Sequence, residues 1–92
     1  STSGGAYTAI AKYVLKQGGV VFGAALNEHN VARHIYIESE DELWKFRNSK
    51  YVQSLIGDTY QQAKEFLKQG RLVCFSGTPC QMEGLVSYLR KP

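Results

Sequence analysis

Cysteine is scarce in this sequence, with only Cys74 and Cys80 among 92 residues. Two cysteines do not make a disulfide framework, and these two lack the paired spacing of a zinc site. A Cys-X-X-Cys pair is missing too, which weakens a thiol-redox reading. A reducing, cytoplasmic setting is the expectation. No uncharged stretch approaches the roughly 20 apolar residues of a membrane span. The uncharged run from Gly18 to Asn27 holds three glycines. No segment joins a basic start to an apolar stretch and a small-residue cleavage site. Charge of one sign does not dominate either: 11 basic against 8 acidic side chains leave a net +3, spread along the chain. That balance describes a solvated surface, so neither a nucleic-acid partner nor a membrane span is expected. Repeats, low-complexity tracts and linkers do not occur.

What is present is a hydrophobic share of 43% and a charged share of 21%, ordinary for one globular domain. The chain starts at Ser1 and stops at Lys91-Pro92, directly after a periodic apolar pattern. It is expected to be a single α/β domain over 1–92, part of a larger protein.

Ala6, Ala9, Ile10, Tyr13 and Val14 follow the spacing of one helix face. Gly18-Gly19 ends that helix. Val20 to Leu26 reads as a buried strand. After a polar turn at Asn27 to Asn30, alternation from Val31 to Glu38 predicts a second strand returning as a hairpin. Three helices follow, each opened by a capping box: Ser39 with Glu42, Asp58 with Gln61, and Thr78 with Gln81. Their core sides are Leu43 and Phe46, then Tyr60, Ala63, Phe66 and Leu67, then Met82, Leu85, Val86 and Leu89. Gly70 closes the middle helix, and Pro79 suits the first position of the last. A short strand is expected at Tyr51-Val52-Gln53 and a stronger one from Leu72 to Ser76. The order is αββαβαβα, which predicts a small mixed sheet of about four strands with helices packed on it.

The sharpest chemical feature is Cys74 to Gln81, a buried strand running into a tight turn and a helix start. Ligands of open α/β sheets sit beyond the carboxyl ends of strands, where helix N-termini point. The first amides of such a helix lack intrahelical partners and favour phosphate or thiolate. Gly77 would admit a ligand close to the backbone, and Cys80 lies in the first turn, which favours a thiolate. The plain alternative is a well-capped helix with a small apolar cysteine. Cys74, inside the strand, reads as a small hydrophobe. Ser1 to Gly5, entering the first helix, is a second anion candidate, with a simple cap as its alternative. Trp44 to Tyr51 interleaves basic and aromatic residues in the manner of a single-strand binder. Helical spacing turns its aromatics inward, which favours core. His29 and His34 have no cysteine or acidic partner at ligand spacing and are expected to be surface or strand residues without a catalytic role.

Four motifs in order resemble one family. Ser1-Thr2-Ser3-Gly4-Gly5-Ala6-Tyr7, Gly18-Gly19-Val20-Val21-Phe22-Gly23-Ala24, Ser49-Lys50-Tyr51-Val52-Gln53-Ser54 and Gly77-Thr78-Pro79-Cys80-Gln81 are together similar to the N-terminal region of the coenzyme F-420 hydrogenase/dehydrogenase beta-subunit family. The likeness runs essentially the whole length. Two departures are Asn48, where the family usually has glycine, and Met82-Glu83 in place of a more apolar pair before Gly84.

The resemblance implies a flavin- and iron–sulfur-dependent oxidoreductase. It would pass electrons between FAD, iron–sulfur clusters and a redox partner protein or deazaflavin-type coenzyme. The implied flavin-binding positions are Ser3, Gly4 and Gly5, then Ser49, Lys50 and Tyr51, then Gly77, Thr78, Pro79 and Cys80. A four-iron cluster normally takes about four thiolates. With two cysteines here, its ligands are expected outside these 92 residues, and no metal site within them. The alternative from another class is a non-catalytic nucleotide- or anion-binding module.

Overall fold

The computed structural model describes residues 2–26, 28–29, 31–46 and 55–90. Their elements are α1 (Thr2–Lys16), β1 (Val20–Leu26), β2 (Ala32–Ile37), a 3-10 helix (Glu40–Phe46), α2 (Thr59–Lys68), β3 (Val73–Phe75) and α3 (Pro79–Leu89). The sheet is mixed and has three strands in the order β2-β1-β3. β1 and β2 form the expected antiparallel hairpin, with Phe22 opposite Tyr36 and Ala24 opposite His34. β3 lies parallel to β1 on its other side.

Among the described residues the sheet has three strands, against the four expected. The segment at Tyr51 to Gln53 lies outside the described residues. Just beyond it, Leu55 makes a single parallel bridge to Arg33, on the outer side of β2. Its carbonyl accepts from His34 N–H at 2.8 Å and its own N–H donates to Ala32 O at 3.0 Å.

The pleat of β1 sends alternate side chains to opposite faces, and both faces are covered. Val21 meets Ala11, Val14 and Leu15 of α1 and Ile37 of β2, with Tyr7, Leu43, Phe46 and Cys74 packed around them. Val20 and Phe22 meet Ala63 of α2 and Leu85 of α3, with Phe66, Phe75 and Met82 among their neighbours. The sheet is therefore sandwiched between α1 with the 3-10 helix and α2 with α3. Among the described residues, no helix is long and apolar enough to cross a membrane.

Several sequence expectations are corrected by these contacts. The buried stripe of α1 is Ala11, Val14 and Leu15, whereas Ile10 and Tyr13 are exposed. Tyr7-Ala11-Val14-Leu15 has the same i, i+4, i+7, i+8 spacing as the stripe one residue earlier, so periodicity alone could not choose between them. Leu67 and Val86 are also exposed, at the margins of the faces assigned to them.

The segment opened by Ser39 is a 3-10 helix, not an α-helix. Leu43 and Phe46, its two residues facing α1, are three apart, which matches the three-residue turn of that helix. Ser39 caps it through its Oγ, which accepts from Asp41 N–H at 3.2 Å. Asp58 precedes α2 without a side-chain cap. Thr59, buried, ties the start instead by donating its hydroxyl to Ile56 O at 2.8 Å. Only the Thr78–Gln81 box forms in full.

Candidate functional site

The parallel pair β1 and β3 ends at one side of the sheet, and α3 begins there, three residues after β3. α1 runs back along β1 from the Gly18-Gly19 link, so its N-terminal turns lie at that same side. The observed contact is between Tyr7 Oη of α1 and Ser76 Oγ after β3, 3.5 Å apart. Both oxygens stand over Gly23, where a Cβ would come within 3.2 Å of each. Burial pushes the Tyr7 phenol above its ordinary pKa, and the Ser76 bond pulls against that.

On the opposite face of the sheet, His34 reaches the same turn. Its Nε2 lies 2.6 Å from Ser76 O, and its ring stacks on Phe75 at 5.1 Å and 19°. The imidazole is buried, which holds its pKa below the usual histidine value against the raising effect of the Ser76 bond. Ser76 is fixed further by Phe22 O, which accepts from its N–H at 3.1 Å and its hydroxyl at 3.2 Å.

α3 starts on the capping box. Thr78 N–H donates to Gln81 Oε1 at 2.9 Å, and Gln81 N–H donates to Thr78 Oγ1 at 3.3 Å. Gln81 is buried, and its carbonyl accepts from Tyr60 Oη at 2.7 Å. A Cβ on Gly77 would stand 2.7 Å from Gln81 Oε1 and 3.3 Å from His34 Nε2. The glycine is thus required by the cap itself, apart from any ligand. Pro79 lacks an N–H, and Thr78 and Gln81 use theirs in the box, so the Cys80 amide is the one left in the first turn for an outside acceptor. Neither α1 nor α3 carries an acidic residue in its first turn.

The candidate residues divide accordingly. Gly77, Thr78, Pro79 and Cys80 form the turn and first residues of α3. Ser3, Gly4 and Gly5 lie within the first turns of α1, one step inside the helix rather than ahead of it. Ser49, Lys50 and Tyr51 lie outside the described residues. Sequence reasoning placed Tyr60 on the core side of α2, quoted Tyr7 only within the first motif, and set His34 aside as a surface or strand residue, whereas it is a buried residue of β2. His34 shares the parity of Tyr36 in β2, which is the one signal that could have turned it inward. Two shallow grooves lie elsewhere, one along α3 at Met82, Val86 and Arg90 and one along α2 at Gln62, Phe66 and Gln69.

Both cysteines are free thiols, Cys74 half-buried against α1 and Cys80 exposed. Burial raises the Cys74 pKa, which lowers its thiolate fraction further. A thiol reagent should therefore modify Cys80 promptly in the folded protein and Cys74 only on opening, with two free thiols counted under denaturing, non-reducing conditions. Equal rates for the two, or no free thiol in a monomer, would contradict this arrangement. Among the described residues, no three metal-ligating side chains come together.

Comparison with protein families, with curated proteins and with solved structures finds no match to this chain.

Proposed function

We propose that the chain is part of a flavin- and iron–sulfur-dependent oxidoreductase. It passes electrons between FAD, iron–sulfur clusters and a redox partner protein or a deazaflavin-type coenzyme in a cytoplasmic setting. In this reading the end of the sheet where α1 and α3 begin holds the flavin phosphates. The observation that carries it is that two acid-free helix starts, on opposite faces of the sheet, lie at the carboxyl ends of one parallel strand pair, with Tyr7 of α1 against Ser76 before α3. Helix starts are positive dipole ends with spare amides, and a pyrophosphate suits them.

The residues present are compatible with that group. The first turns of α1 and α3 contain no acidic residue, the Cys80 amide is outside the capping box, and Lys50 is the counter-charge implied by the family likeness. Bound flavin would supply one- and two-electron redox chemistry. The chain's own part is to orient the phosphates through the Thr78-capped turn, which Ser76 and His34 hold in place. The cluster ligands come from outside these 92 residues.

The test is the flavin content of the complete protein. Wild type should copurify with FAD. Lys50→Ala should bind it about 10–100-fold more weakly at unchanged thermal stability, the scale of a lost charged hydrogen bond. Thr78→Val should cost about 1 kcal/mol of stability through the lost cap and weaken binding as well. Cys80→Ser should leave affinity nearly unchanged if the backbone amide is what binds. Undiminished flavin in Lys50→Ala would remove that residue from the site. A flavin-free wild type that still binds inorganic pyrophosphate would favour the non-catalytic anion-binding module.

A further inference from the structure

We propose that the outer side of β3 is a docking edge for one further β-strand of the parent protein, lying parallel to β3 and apolar on the face that meets α3. This rests on the chain being part of a longer protein, and it holds whether or not flavin is the ligand.

The edge follows from the ladder. Among the described residues, β3 has β1 on one side and no strand on the other. Leu72 O accepts from Val20 N–H, and Ser76 N–H donates to Phe22 O, so this parity of residues turns its backbone groups to β1. The groups alternate along a strand, so the N–H and C=O of Val73 and Phe75 point away from β1. Among the described residues these four groups have no backbone partner.

Proteins usually blunt such an edge with a charge, a proline or a bulge. Val73-Cys74-Phe75 has no charge and no proline, and its register with β1 runs without a break. Its three side chains are only half-buried. Arg71, the nearest charge in the chain, is engaged elsewhere: it donates to Gly18 O, pairs with Glu38 and lies over Phe66. The opposite edge of the sheet differs, since Leu55 already bridges to β2 there.

α3 overhangs the free side. α2 sets Ala63 on the sheet and Phe66 against Tyr36 of β2, while Tyr60 and Lys64, on its other flank, meet Tyr88 of α3. α3 therefore lies on the β3 side of α2. Its Gly84 and Tyr88 both face Tyr60. At about 100° per residue, Val86 stands about 200° round from each of them, on the flank away from α2. That flank is a shallow groove lined by Met82 and Val86, and Val86 is 43% exposed. Unpaired main-chain groups beside an apolar flank are the two elements that strand addition uses, one for affinity and one for side-chain selection.

The crossover rule sets the direction of the occupant. α2 leads into β3 and α3 follows it, both on one face of the sheet. A right-handed crossover through α3 continues the sheet in the direction from β1 to β3 and brings in a parallel strand.

Amide exchange and interstrand NOEs in the complete protein test this. The Val73 and Phe75 amides should be protected at least about 100-fold, as a paired amide is. Their NOEs should lead to a parallel strand of the same molecule outside these 92 residues, with protection unchanged on dilution. Exchange of both amides near intrinsic rates, with Cys74 N–H still protected by β1, would overturn the proposal. So would an antiparallel partner, a partner within the 92 residues, or protection lost on dilution, which marks a second copy. Flavin content of the same sample is measured separately, so a flavin-free protein with a paired edge removes the flavin reading and leaves this one standing.

Discussion

Gly19→Ala is expected to destabilise the protein by about 3 kcal/mol, the upper range for forcing a group into packed space. A Cβ at this position would stand 2.5 Å from Leu72 O, 2.6 Å from Val14 Cγ1 and 2.8 Å from Val14 O. None of these atoms can retreat cheaply. Leu72 O accepts from Val20 N–H at 2.8 Å, the first rung between β1 and β3, and Val14 O accepts from Gly19 N–H at 2.9 Å. Moving either carbonyl would undo the join between α1 and the sheet.

Gly18, its neighbour, is the control. It has φ +79° with nothing within 4 Å of a Cβ, so Gly18→Ala pays only left-handed strain of about 1–2 kcal/mol. Denaturant melts of the two variants measure the difference. A Gly18→Ala cost equal to or above that of Gly19→Ala would show that strain, not close approach, governs this link.

Phe22→Ala should cost about 3–5 kcal/mol, the range for emptying a buried aromatic site. Phe22 is fully buried on the face of β1 that meets α2 and α3. Its ring stacks on Phe75 at 5.3 Å and touches Tyr36 at 5.6 Å and Phe66 at 6.2 Å. One truncation thus loosens β2, β3 and α2 together. For a domain of this size, about 4–8 °C per kcal/mol puts the fall in melting midpoint at roughly 12 °C or more. Leu67→Ala is the contrast. Periodicity assigned Leu67 to the core, yet it is 44% exposed, so its loss should cost less than about 1 kcal/mol. Equal destabilisation by the two would mean that the helix face read from the sequence, and not the packed one, is the core.

These contrasts mark where pattern reading ended for the candidate site as well. The strand, turn and capped helix from Leu72 to Leu89 were legible because each signal is local. Thr78, Pro79 and Gln81 sit at the positions a helix start demands, and the box between them forms. His34 was not legible. Nothing near it in sequence marks it, because its partner Ser76 is 42 residues away and the path to it depends on a small residue in the intervening strand. Gly77 was read as room for a ligand, but Gln81 and His34 already crowd its Cβ position.

By itself the sequence determined the helices α1, α2 and α3, the hairpin, the Gly18-Gly19 break and the α3 cap, since each follows from periodicity, backbone freedom or hydrogen bonds a few residues long. Only the tertiary structure decided which of two equivalent stripes of α1 faces the sheet. It also decided that Leu43 and Phe46 belong to a 3-10 turn and that β3 joins β1 in parallel. It brought the starts of α1 and α3 to one end of the sheet. Those outcomes depend on contacts between residues far apart in the chain, where burial on both faces of β1 selects among local patterns that are equally good alone.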